Sequence, residues 1–127
     1  MIHIYGEPHP VRGHTSPTKP FNASILQTYD IVVFCAQQEE DLDQIQKNIH
    51  AIPPELGIII LIASAEPGRD KLNLLLEAFA HEHHYPFFNP YLGRSEKFSD
   101  HHFYISVVMF VQERNLTSFS FHAKEFL

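Results

Sequence analysis

Histidine, carboxylate and amide side chains are the groups in this chain whose spacing could support chemistry. There are ten histidines. His81 and His84 fall at i and i+3 near the end of a helical pattern, and His101 and His102 form a second pair. Imidazoles at i and i+3 share a helix face, so these four are the candidate metal ligands. The spacing His81-Glu82-His83-His84 is not that of an HExxH zinc helix, and no cofactor is implied. A second set is Glu7, Ser64, Glu66 and Asn89, each placed just after a strand-like run. In parallel α/β sheets that rim is where ligands bind, so these four would serve an enzyme acting on a small ligand or nucleotide. Gln37, Gln38, Arg69 and Arg94 lie on or just beyond the same rim.

Two common catalytic devices do not fit. Gly6 to Thr15 echoes a phosphate-binding loop, but its glycines are too far apart and His14 stands where the lysine belongs. Pro8, Pro10 and Pro17 also remove amide donors that a phosphate would need. No G-x-S-x-G elbow occurs around any serine. Cys35 sits inside an apolar run, which favours a small buried hydrophobe over a nucleophile.

Composition narrows the classes further. With 127 residues and a hydrophobic fraction of 44%, the chain reads as a single α/β domain over 1–127 with a core large enough to need no staples. A formal net charge of -6 argues against nucleic acid or an acidic membrane surface as partner. The single cysteine permits no internal disulfide, and no apolar run reaches the ~20 residues of a membrane span. No basic and then apolar leader opens the sequence. The expectation is a cytoplasmic, intracellular protein.

The elements that must position these groups follow from periodicity. Ile2 to Tyr5 alternates as a short strand, and the proline-rich 7–20 reads as a loop. Phe21 to Tyr29 suits a short helix. Ile31 to Ala36 and Gly57 to Ala65 are continuous apolar runs, as in strands buried on both faces of a parallel sheet. Between them Leu42, Ile45, Ile49 and Ile52 make one helical stripe, closed by Pro53-Pro54. After Asp70, the residues Leu72, Leu75, Leu76 and Phe79 make another, broadened by Leu74 and Ala78. Tyr85 to Phe88 is a short strand. Alternating strands and helices predict a mostly parallel central sheet with helices on both faces, Rossmann-like. Phe103 to Val111 reads either as a helix capped by Asp100 and buried nearly all round, or as a strand by its β-branched and aromatic composition; with a turn at Glu113-Arg114-Asn115 the favoured reading is an antiparallel C-terminal hairpin.

From Ile2 to Gln112 the order of elements resembles the latter part of a Ras-like small GTPase. Ile31-Val32-Val33-Phe34 and Ile58 to Ile62 stand where that family has two consecutive strands, and Glu77 to Phe88 where it has a helix-to-strand junction. Its nucleotide motifs are not kept. Gly6-Glu7-Pro8-His9 replaces D-x-x-G, Ala63-Ser64-Ala65-Glu66 replaces N-K-x-D, and Tyr91-Leu92-Gly93 replaces S-A-K. The resemblance implies a pseudo-GTPase, a fold kept as a binding surface. The reading is therefore a non-catalytic interaction domain whose partner is another protein or a second copy. Phe103, Phe110, Phe119 and Phe121 are the expected partner surface.

Overall fold

The computed structural model describes residues 2–5, 30–91 and 100–114. Glu7, Arg94, Phe119, Phe121 and the side chain of His101 lie outside the described residues, as do the loop expected over 7–20 and the helix expected over 21–29. The chain divides into two compact units, Met1–Asn89 and Pro90–Leu127.

The first unit holds a four-stranded sheet in the order β1 (Ile2–Tyr5), β2 (Ile31–Phe34), β3 (Ile59–Ala63), β4 (Phe87–Phe88). Every pairing is parallel. Helix α1 (Asp41–His50) crosses from β2 to β3, and α2 (Asp70–Glu82) from β3 to β4. Each new strand is added on the same side of the last. Right-handed crossovers taken in one direction must put their helices on one face. The core agrees: Val32 and Phe34 of β2 and Ile62 of β3 pack with Ile45 and Ile49 of α1 and with Leu72, Leu76 and Ala80 of α2. Both crossover helices thus cover one face of this sheet, where helices on both faces were expected. On the other face Ile31, Val33, Leu61 and Ala63 are also fully buried.

The expected strand and helix starts hold within a few residues, with three differences. First, β3 is buried only in its second half, Leu61 to Ala63, while Ile59 and Ile60 remain half-buried; β2 is buried throughout. Second, the apolar face of α2 is narrower than its leucine count suggested. Leu72, Leu76 and Ala80, at i, i+4 and i+8, are buried, whereas Leu74 is 69% exposed and Ala78 is exposed. Third, on α1 the buried set includes Asn48, whose carboxamide oxygen accepts from Gln44 Nε2 at 3.0 Å.

In the second unit the segment expected as the first strand of a hairpin is instead helix α3 (Asp100–Glu113). Phe103, Val107 and Val111 recur at i, i+4 and i+8 and are all buried, which is the helical period. Ser106 satisfies its hydroxyl inside the helix by donating to the His102 carbonyl at 2.8 Å. β-Propensity reports mainly how side chains pack, so a β-branched composition yields to helical spacing once one stripe is buried.

The end of α2 is locked by main-chain bonds. Tyr85 N–H donates to Ala80 O at 2.8 Å, and His84 N–H to His81 O at 3.3 Å. This is a Schellman closure, and it requires the left-handed conformation at His84, where φ is 62°. Glycine reaches that region without the Cβ penalty. His84→Gly is expected to raise stability by about 0.5–1 kcal/mol, seen as a higher urea midpoint at unchanged slope.

Candidate functional site

The carboxyl ends of β2, β3 and β4 define a rim formed by three loops. After β2, the carboxylate of Asp41 turns back and accepts the N–H groups of Gln37 and Gln38, both at 3.0 Å. Asp41 N–H in turn donates to Gln38 O at 3.1 Å, closing a main-chain turn that leads into α1. After β3, Ala65 is gripped by the side chain of Asn73 one turn into α2. Its N–H donates to Asn73 Oδ1 at 2.6 Å, and Asn73 Nδ2 reaches Ala65 O at 3.5 Å. Arg69 donates from its guanidinium to Gln37 O, so the two loops are tied together. Lys71 Nζ and Glu39 Oε1, 3.2 Å apart, add an exposed ion pair between the same loops, of small energetic weight. After β4, Asn89 accepts from the Ser64 hydroxyl at 3.2 Å.

Of the rim residues expected from sequence, Ser64 and Asn89 are therefore brought together, and Gln37 is tied to the β3–α2 loop through Arg69. Glu66 is half-buried in the β3–α2 turn, where its carbonyl accepts from Arg69 N–H at 3.2 Å. The Ser64 hydroxyl is engaged with the Asn89 amide oxygen, and this hydrogen bond orients both side chains. Asn73 was missed in the sequence because it interrupts a leucine-rich helix; the legible signal was an amide three residues into a helix that follows a strand.

A hollow of about 370 Å³ opens at this end, lined by Ser64, Asp70, Asn73, Glu77, Phe87 and Asn89 among others. A second, of about 520 Å³, continues along α2 and is lined by Leu74, Glu77, Ala78, His81, Tyr85 and Phe87. Leu74, Glu77 and Phe87 line both, so the two form one groove between α2 and β4.

The histidine set fares differently. His83 packs as an aromatic ring, 4.6 Å from Phe79 and stacked on Tyr85 at 6.2 Å between centroids. His84 serves the helix closure through its backbone, and His81 is exposed on the groove. His102 belongs to the second unit. Among the described residues no three or more His, Cys, Asp or Glu form a group that could hold a metal ion. Of the expected partner surface, Phe103 is fully buried, a correction forced by the helical register of α3. Phe110 is half-buried, with the Arg114 guanidinium 5.2 Å above its ring.

Comparison with protein-family models, with curated proteins and with solved structures finds no match for this chain. Among the described residues no helix is long and apolar enough to cross a membrane.

Cys35 is buried just below the rim, and that burial pushes its thiol pKa up. The native thiol is expected to resist aromatic disulfide reagents at pH 8 and to react fully in denaturant. A raised folded pKa contributes stability below the unfolded value and loses it above. Native stability should therefore fall by at most about 1.4 kcal/mol per pH unit above roughly pH 8.5, a slope that Cys35→Ala removes. Asn73→Ala leaves the Ala65 N–H without its acceptor, and is expected to cost about 1–3 kcal/mol in urea unfolding.

Proposed function

We propose that this chain is a non-catalytic α/β interaction domain, binding another protein or a second copy of itself. The observation that carries the reading is Leu74, which stands 69% exposed on α2 beside a hollow with Ala78, Tyr85 and Phe87 in its lining. An isolated exposed leucine is ordinary, but one that borders a concave apolar surface is the anatomy of a contact site. The state of the rim supports the same reading. Its amides and hydroxyl are spent on one another and on the backbone, and the Cys35 thiol is buried. A Rossmann-like, pseudo-GTPase-like fold retained without nucleotide chemistry is consistent with this. At the position of a guanine-recognition loop, the Ser64 hydroxyl and the Ala65 N–H are already engaged and Glu66 would repel phosphate.

A second reading, a small-ligand enzyme or binding protein at the rim, is favoured by the 370 Å³ hollow where Ser64, Asn73 and Asn89 converge. A thermal-shift screen separates the two. A ligand at a hundredfold excess over its dissociation constant adds about 2.7 kcal/mol to stability, a rise of several degrees. The interaction reading expects no such rise with nucleoside triphosphates, sugar phosphates or divalent metals. A reproducible rise with one of them overturns it in favour of the rim.

A further inference from the structure

Resting on the interaction reading, we infer that the groove between α2 and β4 takes a basic peptide segment with an apolar anchor, the anchor lying on Leu74, Ala78 and Phe87. Three observations converge. On α2, Leu74 lies between acids: Asp70 toward the strand ends and Glu77 midway along the helix both line the groove, and no Lys or Arg does so among the described residues. Both acids are exposed, and neither has an ion-pair partner among the described residues. Seven residues of helix separate them by about 10 Å, a span of three residues in an extended chain. A segment with lysine or arginine on either side of one apolar side chain matches that layout, and the net charge of -6 draws it in.

The edge of the sheet supplies the third element. Pro86 O accepts from Ile62 N–H at 3.0 Å, and Phe88 O accepts from Ser64 N–H at 2.9 Å. In a parallel ladder the intervening residue then points its own N–H and C=O away from β3. Phe87 thus offers one donor and one acceptor along the groove wall, because β4 ends the sheet among the described residues. A peptide main chain can use both.

The test titrates the full chain with two short end-blocked peptides that share the same leucine and phenylalanine residues. One carries lysines and the other carries glutamates at the flanking positions. Amide shifts are followed by NMR. The lysine peptide is expected to shift Leu74, Glu77 and Phe87, to weaken with added salt, and to lose about fivefold in affinity with Glu77→Lys. Because Glu77 is exposed, that variant should fold, and unchanged shifts elsewhere verify it. Equal binding of both peptides, an unchanged affinity for Glu77→Lys, or no shift with either peptide overturns the assignment. Shifts confined to another surface overturn the groove alone and leave the interaction reading standing.

Discussion

Strand order is the constraint on which the first unit depends. Each crossover from β2 onward moves one strand further in the same direction, and a right-handed connection then leaves no choice of face. Two helices share one side of a narrow sheet, and α2 is the last of them. Its buried stripe, Leu72, Leu76 and Ala80, meets the core, while the neighbouring stripe with Leu74 and Glu77 is carried past it to the groove beside β4. The groove follows from this topology: within the first unit α2 is the last crossover helix, and β4 is the last strand it leads to. β4 supplies only Phe87 and Phe88 to the ladder.

Hydrogen-bond satisfaction accounts for the side chains that line the rim. A strand end followed by a tight turn leaves several main-chain groups without ladder partners, and each costs stability if buried unpaired. Here side chains meet that need. Asp41 takes two amides, Asn73 brackets Ala65, and Arg69 takes the Gln37 carbonyl. These side chains hold the loops in place through the main chain. The same accounting applies to the histidines, where His83 fills space between two rings and His84 pays a backbone role at the helix end.

The strands and both crossover helices were legible because continuous apolar runs and i, i+3, i+7 stripes report burial directly. Leu74 was not, since a leucine's hydrophobicity does not say which of two adjacent helix faces it occupies. Phe103 to Val111 failed for a related reason. Its residues favour a strand by type and a helix by spacing, and only the burial of Phe103, Val107 and Val111 on one stripe decides between them. At the rim, the pairing of Ser64 with Asn89 spans 25 residues. Sequence placed both at strand ends, but their contact needs the register that sets β3 beside β4. Asn73 was hidden by its leucine neighbours, since the bond that defines its role is to the main chain of a small residue.

Among the described residues the sheet ends at β4, and this open edge runs beside α2. Residue-resolved amide hydrogen exchange tests it directly. The amides of Ile62, Ser64 and Phe88 are expected to exchange slowly, as members of the ladder, while the Phe87 amide exchanges with the loops. Protection of Phe87 equal to that of Phe88 would contradict it, because the edge would then already be paired.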